Sequence, residues 1–254
     1  MKNPPDFRSR LRAGERLIGT IASLASPEAT EILATSGYDW LFLESEHAPT
    51  SPLELQRMMM AARDVPCVIR LPNHAEIEIK RALDMGAAGI IVPQVNTAEQ
   101  AAAVVAHAKF PPEGRRGVGV SRANGYGDYV GPHVAHANAR SAVVVQAEHI
   151  DAVHHIEDIV KVPGVDCVFI GPYDLSASMH KLGQLDDPEV IEAIGHIAAV
   201  TKAAGLALGF FATSPELVLP RLAEGFTLVA CGVDTLFLRR EAQAVSARLK
   251  NAQF

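Results

Sequence analysis

The stretch VVVQAEH, Val143 to His149, runs from three consecutive β-branched residues into two polar ones two places apart, Gln146 and Glu148. In a strand, residues two apart share a face, so both side chains look into one cavity at the strand's end. The stretch FIGPYDLSASM follows after a short intervening helical pattern. It repeats the device: an apolar strand, Val165 to Ile170, then a Gly-Pro turn, Gly171-Pro172, that delivers Asp174. Two carboxylates at the ends of two buried strands suggest a metal site. The alternative is that each caps the N-terminus of the helix that follows.

Working outward, the same unit recurs along the whole chain. Apolar strands are expected at Leu17 to Leu24, Trp40 to Leu43, Pro66 to Arg70, Gly89 to Val92, Ala142 to Gln146, Val165 to Ile170, Leu206 to Phe211 and Leu228 to Cys231. Helical patterns separate them. Three open on the same signal, Ser26-Pro27-Glu28, Ser51-Pro52 and Ser214-Pro215-Glu216, with serine as N-cap and proline at the first helical position. Asn96 and Glu99 frame another helix, and Pro111-Pro112 end it. The segment RRGVGVSRANGYGDYVGP after it has no clear period and reads as a long loop. Eight continuously apolar strands alternating with helices match a parallel sheet buried on both faces. Closed on itself, that is an α/β (β/α)8 TIM barrel, a single domain over residues 1–254. An open doubly wound sheet fits less well, because SLASPE after the first strand lacks a Gly-rich dinucleotide turn.

Composition excludes several classes. With 48% hydrophobic and 20% charged residues and a net charge of −6, the chain has the make-up of a globular protein with a substantial core. It has no basic block of the kind that grips nucleic acid and no apolar run long enough to span a bilayer. No secretory signal is visible in MKNPPDFRSRLRAGE, so a cytoplasmic location is expected. Cys67, Cys167 and Cys231 are far apart and lack metal-ligand spacing, as suits buried thiols in a reducing compartment.

A barrel of this type carries its chemistry where strands end. Those positions hold Glu44, Ser45, Glu46 and His47 after the second strand, Arg70 after the third, Gln146 and Glu148 after the fifth, and Asp174 beyond the sixth. Glu148 and Asp174 offer two hard oxygen donors and leave coordination positions open, which suits Mg2+, Mn2+ or Co2+ better than a closed zinc site. His47 has the side chain of a general base, with Glu44 and Glu46 beside it to orient the ring. Arg70 has the planar fork that binds a carboxylate or carbonyl oxygen; an ion pair across the barrel mouth is the other reading. His133 and His136 fall in the long loop without a third ligand. No lysine falls on a strand where a desolvated Schiff-base amine would sit. Carbon–carbon chemistry here would need a metal to stabilise the enolate.

Taken together, LFLESEHAPTS, VPCVIRLPN, GAAGIIVPQVNTAEQA, PPEGRRGVG, VVVQAEH, GVDCVFIGPYDLSASM and GFTLVACGVDT resemble the HpcH/HpaI aldolase family, in order from about residue 17 to residue 240. The resemblance implies a metal-dependent, class II aldolase that reversibly cleaves 4-hydroxy-2-oxo acids to pyruvate, or a relative such as hydroxypyruvate, and an aldehyde. It implies a divalent metal on Glu148 and Asp174 with Gln146 close by, His47 as base through a metal-bound water, and Arg70 on the keto oxygen and enolate. Backbone groups around Gly171, Pro172 and Tyr173 would take the pyruvate carboxylate. Asp84 matches a family acid at a subunit contact near the neighbouring active site, in a homohexamer built as a trimer of dimers. The sequence departs from the family at Glu44, where an Asp is usual as the residue that orients the catalytic His. Two other functions share these residues: an acyl-CoA lyase of the same superfamily, and a non-catalytic barrel that binds 2-oxo acids. The last helix, Asp234 to about Lys250, is open to two placements, on its own barrel or exchanged with a neighbouring subunit.

Overall fold

The computed structural model describes residues 6–252. Its strands are Leu17–Ala22 (β1), Trp40–Glu44 (β2), Cys67–Arg70 (β3), Gly89–Val92 (β4), Ala142–Ala147 (β5), Cys167–Ile170 (β6), Ala207–Ala212 (β7) and Leu228–Val233 (β8). They close into a barrel in sequence order, each pair of neighbours parallel. The architecture is the expected (β/α)8 barrel.

Among the described residues twelve α-helices surround or close it. They are Phe7–Arg12 (α1), Pro27–Ala34 (α2), Pro52–Ala61 (α3), Glu76–Asp84 (α4), Ala98–Ala108 (α5) and Val130–Arg140 (α6), then Ile150–His154 (α7), Ile156–Ile159 (α8), Pro172–Ser178 (α9), Pro188–Ala203 (α10), Pro215–Ala223 (α11) and Asp234–Lys250 (α12). The serine caps do as expected at two starts: Ser26 accepts from Ala29 N, and Ser51 forms a full capping box with Glu54. At α11 the Ser214 side chain makes no cap bond. The start of α5 is a correction, since Thr97 rather than Asn96 caps it by accepting from Gln100 N.

Strand parity divides the core in two. Leu17, Ile21, Trp40, Phe42, Val68, Ile91, Val144, Cys167, Phe169 and Leu228 point inward and fill the barrel, while Leu43, Ile69, Ile90, Val145, Ile170 and Val229 point outward under the helices. The Phe169 ring lies so close to Gly209 that a Cβ there would come within 2.2 Å of it; glycine is what lets an aromatic ring occupy the barrel centre. Phe7 and Leu11 of α1 plug the N-terminal end and join the same inner cluster, with Arg8 Nε anchored on Asp166 at 2.8 Å.

Three α-helices have no counterpart in the expected pattern: α1, α6 and α9. The long segment expected to be a loop contains a 3-10 turn over Arg122–Gly127 and then α6. Its order comes from one side chain. Asn124 Oδ1 accepts from Ser121 N (3.0 Å) and Gly127 N (3.1 Å), and its Nδ2 donates to Gly119 O. Such local side-chain-to-backbone bonding leaves no hydrophobic period to read. His133 and His136 therefore lie on a helix.

Candidate active site

Parity carries the site residues into the barrel mouth. Phe42 and Val68 point inward, so Glu44 and Arg70, two residues on, do so as well. By the same rule Val144 leads to Gln146 and then Glu148. In register, Glu44 lies beside Arg70, and the side chains complete the pairing: Arg70 Nη2 donates to Glu44 Oε2. The guanidinium is also stacked over Phe42, with Cζ 5.2 Å from the ring centroid, which fixes its plane.

The structure separates two carboxylates that the sequence offers together as partners of His47. Glu44 does not orient the ring. Its Oε1 accepts from the backbone amides of Glu46 (2.7 Å) and His47 (3.1 Å), and its Oε2 holds Arg70. Glutamate is one methylene longer than aspartate, and it curls back to cap the turn that carries the histidine. Glu46 takes the place beside the ring, with Oε2 3.6 Å from His47 Nε2 and 3.3 Å from Arg70 Nε. One oxygen thus lies between the candidate base and the candidate enolate-binding arginine. Burial pushes the Glu46 carboxyl above its usual range, against the pull of Arg70 and His47. His47 itself is two-thirds exposed at the mouth.

On the opposite wall, Glu148 is buried. Its Oε1 accepts from Gln94 N at 2.8 Å, and its Oε2 from Gln146 Nε2. Burial raises its carboxyl to about 7, and the nearby Asp174 and Glu46 charges add to that rise. Asp174 stands in the first turn of α9, exposed. Gly171 ends the sixth strand so close to this pair that a Cβ would lie 2.6 Å from Glu148 Oε2 and 3.0 Å from Gln146 Nε2. The Gly171 amide is spent on Ala147 O, and Pro172 has no N–H, so the first α9 amides free of backbone partners are those of Tyr173 and Asp174. This narrows the expected anion-holding group around Gly171 to two residues.

The donor set fits a divalent cation. The Asp174 and Glu46 charges raise the cost of ionising the buried Glu148, and the Asp174 charge adds to that of Glu46, while the buried Gln146 Oε1 has no hydrogen-bond partner. A cation set among these oxygens removes both penalties, and hard oxygen donors of this kind are what Mg2+ and Mn2+ take. Among the described residues no group of three or more His, Cys, Asp or Glu side chains is placed to hold a metal ion, so the candidate donors are the two carboxylates Glu148 and Asp174 with Gln146 Oε1 beside them.

Two charged residues sit elsewhere. Asp84 ends α4, which runs antiparallel to the strands and puts it at the N-terminal end of the barrel, where Arg116 Nη2 donates to it at 2.6 Å. It does not join the mouth of its own barrel. Lys109 is fully buried, and burial first and Arg8 second lower its amine to about 8. It also lies at the N-terminal end, where its Nζ donates to the carbonyls of Asn138 (2.9 Å) and Ser141 (2.6 Å). A cavity of about 450 Å3 opens at that same end between α1, α4 and α6, away from the strand-end carboxylates. Gln94 is not legible as a site residue in the sequence, because its contribution is a backbone amide and leaves no side-chain signal.

Known proteins match nearly the whole length of the chain. The model of the family described as HpcH/HpaI aldolase/citrate lyase matches residues 18–240. The chain is 40% identical to a 5-keto-4-deoxy-D-glucarate aldolase of Klebsiella pneumoniae subsp. pneumoniae, over 97% of each chain. It is 39% identical to a hydroxypyruvate/pyruvate aldolase of Chromohalobacter salexigens, over 98% of each. Among solved structures, an HpcH/HpaI aldolase/citrate lyase family protein from Burkholderia cenocepacia superposes with a TM-score of 0.92 at 35% identity, covering 96% of this chain and 98% of that one.

Proposed function

The chain belongs to the HpcH/HpaI aldolase/citrate lyase family, and from that membership and the geometry of the mouth we propose that it is a metal-dependent aldolase, a carbon–carbon lyase that cleaves 4-hydroxy-2-oxo acids to pyruvate or hydroxypyruvate and an aldehyde. The observation that carries the reading is the buried Glu148 carboxylate beside the unpartnered Gln146 Oε1, facing Arg70 and His47, with no lysine at any strand end among the described residues.

Glu148 and Asp174 would hold the cation. When bound, a divalent metal supplies Lewis-acid polarisation of the 2-oxo acid carbonyl. The protein's own groups account for the rest. Arg70, its plane fixed by Glu44 and Phe42, donates to the keto oxygen and to the negative charge that grows there, the electrostatic contribution that usually weighs most. His47 takes the proton of the 4-hydroxyl in cleavage and a methyl proton in the reverse direction. The Tyr173 and Asp174 amides, at the start of α9, are placed for the substrate carboxylate.

The same chemistry disfavours an amine route: among the described residues the one buried lysine with a lowered pKa, Lys109, is tied to two carbonyls at the other end of the barrel. The relatives differ by name in what they act on, 5-keto-4-deoxy-D-glucarate in one and hydroxypyruvate or pyruvate in the other.

The homohexamer reading draws support from α12. Of its seventeen residues only Asp234 is buried, and Leu238, Val245 and Leu249 stand exposed, as expected of a helix that packs on another subunit. Asp84, remote from its own mouth, fits a place near a neighbour's site. Among the described residues no helix is long and apolar enough to cross a membrane, and Cys67, Cys167 and Cys231 are free thiols, in keeping with a cytoplasmic enzyme.

Retro-aldol cleavage followed by pyruvate release, with and without chelator, tests the reaction. Loss of rate on chelation and recovery on adding Mg2+, Mn2+ or Co2+ is expected; a rate indifferent to chelator and to Glu148→Ala overturns it. Mixing His47→Ala and Asp84→Ala proteins tests the shared site, because subunits that complement one another regain activity that neither has alone.

A further inference from the structure

The turn that ends β4 bends against the preference of its own residue. Gln94 has φ +53°, in the left-handed region where Cβ crowds the backbone and where residues other than glycine, asparagine and aspartate are uncommon. Neither neighbour is a glycine that might have absorbed the bend. Such a conformation persists only where its surroundings over-determine it, and here three successive residues are held. Pro93 O accepts from His74 Nε2, reached from the connection after β3. Val95 N donates to Gln146 O on β5 at 3.2 Å. Between them, Gln94 N donates to Glu148 Oε1 at 2.8 Å.

The middle bond explains the bend. In an ordinary strand continuation the amide of residue 94 would lie in the plane of the sheet, aimed at a neighbouring strand. The left-handed φ turns the chain sharply just after that amide, so Val95 N still reaches Gln146 O while the Gln94 N–H faces into the mouth. There it meets a carboxylate that is 2% exposed and whose other oxygen is taken by Gln146. An ionised carboxylate offers about four lone-pair positions; with one bond on each oxygen, its rotation is fixed and the remaining lone pairs keep one direction.

We infer that Gln94 is a positioning residue for the cation site: its strained backbone turns the amide of position 94 onto Glu148 and sets the direction in which that carboxylate meets the metal. The inference rests on Glu148 as a ligand, the reading proposed above. It assigns the effect to the φ of residue 94 and none to its carboxamide side chain. Ligand-orienting partners of this kind typically contribute about 10–100-fold to metal affinity.

The test is calorimetric titration of Mn2+ into chelator-stripped protein for Gln94→Gly, Gln94→Asn, Gln94→Ala and Gln94→Val, each also melted without metal. Gly and Asn accept positive φ, and Ala has the same unbranched Cβ as Gln, so all three should bind Mn2+ within about twofold of wild type; Val, β-branched, should weaken binding by on the order of tenfold or more. If the Val protein does not fold, Gln94→Thr, β-branched but polar, supplies the comparison. Equal Kd across the series overturns the inference. So does a series ordered in Tm but flat in Kd, since that is a purely structural turn. Glu148→Gln separates the two readings: Mn2+ binding undiminished in that variant removes the ligand assignment itself, whereas Mn2+ binding lost there but equal in Gly and Val at 94 removes only the role of Gln94.

Discussion

Glu44 and Arg70 are register partners on β2 and β3, and their side chains meet again at the barrel mouth as an ion pair. Backbone pairing has brought them to the same height, so little side-chain freedom is lost in forming the contact. Glu44 is 3% exposed, and a buried charge stripped of its partner costs more than the pair gains. Arg70→Ala is therefore expected to lower stability by on the order of 3 kcal/mol, as urea unfolding would show. Arg70→Lys keeps a charge but not the fork; cleavage should fall about 10²-fold or more, as when a single oxyanion donor is removed, with a smaller loss of stability.

Glu46 and Glu44 are separable by kinetics. Glu46 Oε2 lies between His47 Nε2 and Arg70 Nε, so Glu46→Gln should reduce kcat with little change in KM, by a part of the roughly 10²–10⁴ that a positioned base contributes. Glu44→Gln loosens both the turn and the arginine and should lower Tm as well as kcat. Equal behaviour of the two variants in both measurements would contradict the division of roles seen in the structure.

Gly171→Ala probes the wall shared by Glu148 and Gln146. An added Cβ would sit 2.6 Å from Glu148 Oε2, so the carboxylate must move or the strand must shift, at about 1–3 kcal/mol. The expected result is a modest drop in Tm together with weaker Mn2+ binding, read by melting and titration of the same preparation.

Lys109 gives a pH dependence with a definite sign. Its amine is lowered from 10.5 to about 8 in the fold, first by burial and then by Arg8. Between those values the unfolded chain binds more protons than the folded one, so stability rises with pH, by at most about 3 kcal/mol. Below pH 8 the buried charge is carried at full cost. Wild type should gain urea resistance relative to Lys109→Met as pH increases from 8 to 10. Parallel curves for the two proteins would show that the amine titrates normally.

Much of this protein is written locally in its chain. Eight apolar runs, Ser-Pro helix starts at Ser26 and Ser51, and a lysine-free set of strand ends lead to the barrel before any contact is known. Parity then places Glu44, Arg70, Gln146 and Glu148 at one mouth, because alternation along a strand is a property of the strand alone. Partner choice is different in kind. Whether Glu44 or Glu46 meets the His47 ring depends on where a turn folds back and where Arg70 arrives from the next strand, and only the closed barrel settles it. The same holds for Asp84 and Lys109, sent to the far end by helices that return antiparallel to the strands. It holds most strongly for Gln94, which reaches Glu148 through a backbone amide common to every residue but proline. The sequence by itself determined the barrel and the set of groups at its mouth. The tertiary structure decided which of them touch, since a hydrogen bond is selected by distance and direction in space, and spacing along the chain carries neither.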